Sequence, residues 1–264
     1  MLTHKIVGNA FQQVVCQVES GQTVYAEPGK FLWKTPNVTL ETRLSTPAGN
    51  QAGGQPAKAG LLQKAMDVGK RVLAGEHLAF QYFTPVGGSG LVTFAGVMPG
   101  EVKALDLDGT TGWLTERGTF VAAESSVNFD IALNGLRTGL RSGQGFVLEK
   151  FTGEGTLLIA AAGNFIELNP ANYGGKIQVH AGCIAAFQDC LEFGVERVGG
   201  LSAQTAMTAL FGGEGINLAT LTGNGLVLLQ SVTIEAVAHA LQAHMVAPGE
   251  ERKGGLGGIL EGRI

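Results

Sequence analysis

At 264 residues the chain is long enough for one large β domain or a few fused small units, and either buries a substantial core. Apolar residues make up 45% and charged ones 15%, which excludes an extensively disordered chain. A formal charge of −4 gives no general attraction to nucleic acid or to an anionic lipid surface. Glycine is abundant, at 41 residues, and follows no Gly-X-Y period. It therefore predicts many turns and many short strands, an all-β chain.

From the N-terminus, "MLTHKIVGNAFQQVV" lacks the basic-apolar-small order of a secretory signal. No apolar run reaches the length of a membrane span, so the expectation is a cytoplasmic protein without one. A twelve-residue segment then begins at Gly29, "GKFLWKTPNVTL", and recurs without gaps as "GTFVAAESSVNF" from Gly118 and "GCIAAFQDCLEF" from Gly182. The third position is Phe31, Phe120 or Ile184; the tenth is Val38, Val127 or Leu191; the twelfth is Leu40, Phe129 or Phe193. Tenth and twelfth share one face of a strand.

Each copy is followed by a glycine-rich segment. The first is "FTPVGGSGLVTFAGVMPGEVKALDL", from Phe83 to Leu107. The other two, "FTGEGTLLIAAAGN" (151–164) and "FGGEGINLATLTGN" (211–224), align without a gap and match Gly153-Glu154-Gly155 to Gly213-Glu214-Gly215. The glycines predict tight turns between strand pairs, and Glu154 and Glu214 fall on matching hairpin tips. The chain thus divides into three β repeats, 1–108, 109–170 and 171–232, ahead of a C-terminal helix and Gly-rich tail, 233–264. Repeat 1 carries an inserted loop and helix (45–74), with the helix placed near 60–73. A second helix is predicted from about 233 to 245 by the spacing of Ile234, Val237, Ala238, Leu241 and Met245.

A search for chemistry yields no catalytic, cofactor-binding or metal-binding assignment. The five histidines form no HxH or HExxH. The three cysteines, Cys16, Cys183 and Cys190, contain no CxxC, and each is read as a buried or inert thiol. "DLDG" at 106–109 has Arg117 where a calcium loop needs its bidentate Glu, and reads as an Asp-Gly turn. "GGSG" at 87–90 is no nucleophile elbow, and no phosphate-binding loop occurs. Glu154 and Glu214 are the remaining candidates, read as polar residues flanked by turn glycines.

The runs "FQYFTPVGGSGLVTFAGVMPGEVKALDL" and "GGEGINLATLTGNGLVLLQS" resemble the signatures of an uncharacterised family that includes the altered-inheritance-of-mitochondria, or mitochondrial biogenesis, proteins. The resemblance covers about residues 24–231. It implies a fold like that of the tryptophan RNA-binding attenuation protein, with three tandem β-sandwich units in one chain and assembly into rings. It implies no catalytic residues.

The leading expectation is a non-catalytic scaffold or interaction protein, a homo-oligomer built through β units, and a trimer by analogy. The alternative is a small-ligand or RNA binder using clefts between units. Nucleic acid is disfavoured because the one basic-aromatic group, Lys30 and Lys34 around Trp33, is not repeated. A hydrolase or metal enzyme using Glu154, Glu214 or His180 ranks last.

Overall fold

The computed structural model describes residues 1–43, 79–132, 148–197 and 217–245. The helix expected near 60–73, Glu214 and the Gly-rich tail lie outside them. Within them the chain is mostly β, in three sheets, with one α-helix at the C-terminal side, α1 (Ile234–Met245). Thr233 opens α1 by accepting the Ala236 N–H on its hydroxyl at 3.1 Å. The helix expected over 233–245 is therefore present.

The first sheet runs β1 (Thr3–Val7), β2 (Gln13–Val18), β7 (Gly90–Ala95), β4 (Phe31–Lys34). The largest runs β13 (Phe165–Leu168), β18 (Val227–Gln230), β15 (Ile184–Gln188), β9 (Trp113–Glu116), β12 (Leu148–Ala160), β10 (Phe120–Glu124), β3 (Val24–Ala26), β6 (Phe80–Pro85), β5 (Val38–Arg43). Two further strands, β8 (Val102–Asp108) and β11 (Val127–Ala132), pair with β12 outside that path. The third sheet is β14 (Lys176–Val179), β17 (Asn217–Thr222), β16 (Glu192–Arg197).

One pairing scheme occurs three times. The aligned twelve-residue segments become β4 and β5, β10 and β11, β15 and β16. Their twelfth residues face Phe83, Phe151 and Leu221. Their first strands pair with β7, β12 and β18, and each ladder has a register shift after the third residue, between Phe31/Trp33, Phe120/Ala122 and Ile184/Ala186. β3 then bridges β6 and β10, and β9 bridges β12 and β15. These two strands stitch each segment to the next. β14 pairs with β17 in the same manner, but among the described residues it has no second neighbour.

The register corrects two expectations. Gly153-Glu154-Gly155 is not a hairpin tip: it lies inside β12, a thirteen-residue strand. Residues 148–153 of that strand pair with β11, and 148–151 also with β9; residues 154–160 pair with β8. Gly153, at φ +103°, and Gly155, at φ +145°, turn the strand from one set of neighbours to the other without ending it. The structural counterpart of this motif is also not Gly213-Glu214-Gly215. Since Phe151 and Leu221 hold equivalent places, the match is Gly223-Asn224-Gly225, ten residues later. Two Gly-Glu-Gly tripeptides outscored the strand register in the sequence alignment.

Three buried apolar clusters form, each drawing on adjoining pairing sets. The central one includes Tyr25, Phe120, Phe129, Phe151, Leu157 and Ile159. Phe151 is fully buried, with its ring 4.8 Å from Phe120 and 5.5 Å from Phe129. The outer clusters centre on Val92, Phe94 and Leu158, and on Ile184, Phe187 and Leu221.

The bend in β12 yields a graded prediction. A Cβ on Gly153 would sit 2.7 Å from the backbone oxygen of Ser126, whereas one on Gly109, also at positive φ, meets nothing within 4 Å. Gly109→Ala is expected to cost about 1 kcal/mol from backbone strain alone, and Gly153→Ala about 2 to 3 kcal/mol. Urea unfolding midpoints should preserve that order.

Candidate binding site

The bend leaves a polar group to satisfy. Where β12 bends, and where β6 leads into β7 and β17 into β18, the amide after the last glycine needs an acceptor. The seventh residue of the aligned segment supplies it each time. Leu91 N–H donates to Thr35 Oγ1 at 3.0 Å, Thr156 N–H to Glu124 Oε2 at 2.7 Å, and Leu226 N–H to Gln188 Oε1 at 2.8 Å. Thr and Gln perform this task without charge. Glu124 performs it as a carboxylate that is 8% exposed.

Glu124 lies in a cleft of about 530 Å³ that is also lined by Met1, Ser126, Asn128, Gly153, Glu154 and Gly155. The Met1 amine is 3.7 Å from Glu124 Oε2. Leu2 N–H donates to Thr156 Oγ1 at 3.0 Å, and that hydroxyl donates to Asp106 Oδ1 at 2.9 Å. A side chain at 155 would collide with Ser126 Oγ at 2.8 Å, so glycine there keeps this wall close. The cleft brings together the Glu124 and Glu154 carboxylates, the Ser126 hydroxyl, the Asn128 amide and the Met1 amine, which already pairs with Glu124. A cationic group could be held there in place of that amine.

A second polar group collects at the turns after β3, β9 and β14. These are Glu27 to Lys30, Glu116 to Thr119 and His180 to Cys183. Each closes with the fourth N–H donating to the first carbonyl, at 3.4, 3.2 and 3.0 Å. Lys30 is buried, donates to Gly118 O at 2.7 Å and stands 3.6 Å from Glu27. Burial pushes the Glu116 carboxyl up to about 8, with the negative charge of Glu235 on α1 adding to it; Arg117 and Lys30 oppose the rise and Glu27 adds to it.

The family model for the mitochondrial biogenesis protein AIM24 matches residues 4–232. The chain belongs to the AIM24 family. It is similar to an uncharacterised protein of Streptococcus pyogenes serotype M6, 27% identical over 236 residues that span 89% of this chain and 87% of that protein. A crystal structure of another Streptococcus pyogenes protein superposes with a TM-score of 0.69 at 24% identity, covering 93% of this chain and all of that one. That likeness establishes the shared fold.

The residues singled out in sequence scatter. Glu154 is exposed on β12, opposite Asp108 on β8, and lines the cleft. His180 belongs to the turns. Among the described residues no three His, Cys, Asp or Glu side chains converge as a metal site. The Asp-Gly turn is present: Asp108 Oδ1 accepts from Thr110 N, Thr110 Oγ1 and Thr111 N at 2.9, 2.7 and 3.2 Å, which holds its carboxyl down at about 2. Cys16 is buried, and desolvation with the nearby Glu124 charge pushes its thiol up to about 12, an inert state. Cys190 is exposed, its thiol donating to Asn224 O at 3.5 Å. Lys30, part of the basic-aromatic group around Trp33, is not available to an external ligand. Glu124 escaped the sequence reading; its signal was an acceptor at the seventh place of all three segments.

Two outcomes test these assignments. Glu124→Gln should keep the fold, because Gln188 performs the same task, while Glu124→Leu should lower the melting temperature by several degrees by orphaning the Thr156 amide. For Glu116 the folded carboxyl holds its proton up to about pH 8, against 4.5 ordinarily, so stability falls as pH rises through that interval. Glu116→Gln should therefore stabilise the protein above pH 8 and leave it unchanged near pH 4.5, read by thermal unfolding across that range.

Proposed function

We propose that the chain is a non-catalytic assembly protein: three equivalent β units, of the attenuation-protein kind, that join copies head to tail through open sheet edges. The observation that carries this reading is a pair of unmatched edges. Within the chain, β3 and β9 each bridge two segments. β14 holds the same place at the end of the series, and β4 is the strand of the first segment that corresponds to β10 and β15. Among the described residues, β4 pairs only with β7 and β14 only with β17. Open edges of this kind recruit strands. Leu32 and Trp33 on β4 are 50% and 44% exposed, apolar surface suited to cover by another copy.

The internal seams supply the register. Tyr25 faces Ala123 and Leu114 faces Phe187; Ala26 faces Ala122 and Thr115 faces Ala186. Carried one step on, Gln178 of one copy faces Lys34 of the next, and Val179 faces Trp33. The contact is heterologous, so it closes a ring or continues as a filament. A ring of three chains matches the attenuation-protein analogy. No helix among the described residues is long and apolar enough to cross a membrane.

A second reading, small-ligand binding, rests on Glu124, the charged member of the three equivalent acceptors, and on the cleft above it. Its ligand would carry an ammonium group that takes the place of the Met1 amine beside Glu124. Loss of an amine-induced thermal shift in Glu124→Gln would support it.

For the assembly, light scattering of the purified chain at micromolar concentration should give the mass of three chains. A single-chain mass would defeat the reading. With Cys183 and Cys190 replaced by serine, the double variant Gln178→Cys and Lys34→Cys should form disulfides between chains on mild oxidation. Either cysteine alone should not form that link.

A further inference from the structure

The three turns after β3, β9 and β14 step from one segment to the next. Lys30 in the first turn donates its ammonium to Gly118 O in the second, at 2.7 Å. The Thr119 hydroxyl, at the matching place in the second, is shared between Glu116 O of its own turn at 2.8 Å and Ala185 O of the third segment at 3.1 Å. Glu27, Glu116 and His180 occupy the same position in their turns, each giving the carbonyl that closes it. Neighbouring turns bring these residues within electrostatic range: the charge of Glu27 acts on Glu116. The Glu235 carboxylate lies against the third turn, where a Cβ on Gly182 would meet Glu235 Oε2 at 3.1 Å and His180 Nδ1 at 3.3 Å.

His180 ends the series and differs from its two equivalents. It is an imidazole where they are carboxylates, and its Nδ1 is buried without a hydrogen-bond partner. It directly follows β14, which among the described residues has one edge unpaired. The residue as a whole is only half-buried, so part of its ring stays open beside that edge and available to a second copy. Glu27, at the start of the series, is 27% exposed and directly follows β3.

We propose that His180 is completed by Glu27 of the next copy, so that the seam between copies carries an imidazolium–carboxylate contact. Inside the chain the corresponding neighbours are two carboxylates. This inference rests on the head-to-tail assembly above and names the polar contact that selects its partner, a second copy of this chain. The seam then responds to pH. Imidazole is the side chain whose charge changes between pH 5 and 8, and a facing carboxylate favours its charged form. A proton is thus taken up on assembly, and association tightens as pH falls over that interval. The other charges at the seam are Glu235, Glu116 and Arg117 of the same copy and Lys30 beside Glu27. Glu116 titrates at the upper end of this range, near pH 8, so it has to be controlled.

Sedimentation velocity from pH 5.5 to 8.5 tests the contact. For the wild type, the dissociation constant should be at least threefold larger at pH 8.5 than at pH 5.5. His180→Asn and Glu27→Gln should each flatten that slope, and combining them should add nothing further. Glu116→Gln should leave the slope in place. A wild type that stays monomeric at every pH defeats the assembly itself and this contact with it. Assembly with no pH slope, or with a slope that survives both His180→Asn and Glu27→Gln, overturns the contact while leaving head-to-tail assembly standing.

Discussion

A strand that serves two sets of neighbours has to bend, and the amide at the bend has to find an acceptor off the ladder. Much of this architecture depends on that constraint. In β12 the bend falls at Gly153-Glu154-Gly155, and the amide of Thr156 is held by Glu124. Without the bend, residues 148–153 could not lie along β11 while 154–160 lie along β8. Phe151 and Leu157 would then not reach the same core. An unmet amide there would cost about 1 to 3 kcal/mol, comparable with losing a well-placed core methyl group or two.

The same constraint explains why short strands suffice. β3 has only three residues, yet all three are buried, because it is paired on both sides. β9 has four and is likewise paired on both sides. Such strands gain their stability from neighbours rather than from length. Their burial is collective: Tyr25 on β3 touches Phe80, Tyr82 and Phe120, which come from both adjoining segments. β14, with one neighbour among the described residues, has half of that support there.

Much of this was legible in the sequence, and the exceptions have physical causes. The spacing of Phe120, Val127 and Phe129, with their counterparts, located the paired strands because same-face burial leaves a period of two. α1 was legible from the spacing of Ile234, Val237 and Leu241. The Gly-Glu-Gly motif misled because glycine marks any departure from ordinary backbone, whether a reversal or a bend within a continuing strand. Only pairing partners separate the two, and those lie far away in sequence. The burial of Lys30 was illegible for a related reason: the side chain is bonded to the carbonyl of Gly118, 88 residues further on.

Equivalent positions that do the same structural work allow role and ornament to be separated. Thr35, Glu124 and Gln188 all accept one amide, so acceptance explains a polar side chain there but not a charge. The charge of Glu124 meets the Met1 amine at 3.7 Å, and Glu124 is the member that faces a cleft lined by Met1, Ser126 and Asn128. The turns show the same logic. Their shared carbonyl bond explains the reversal in all three, whereas the change from Glu27 and Glu116 to His180 is unexplained by the turn itself. That change occurs beside the one bridging strand that lacks a second partner among the described residues. Divergence among equivalents therefore falls where a single copy leaves polar groups or strand edges unsatisfied, and that coincidence ties the repeat's chemistry to contacts made outside the chain.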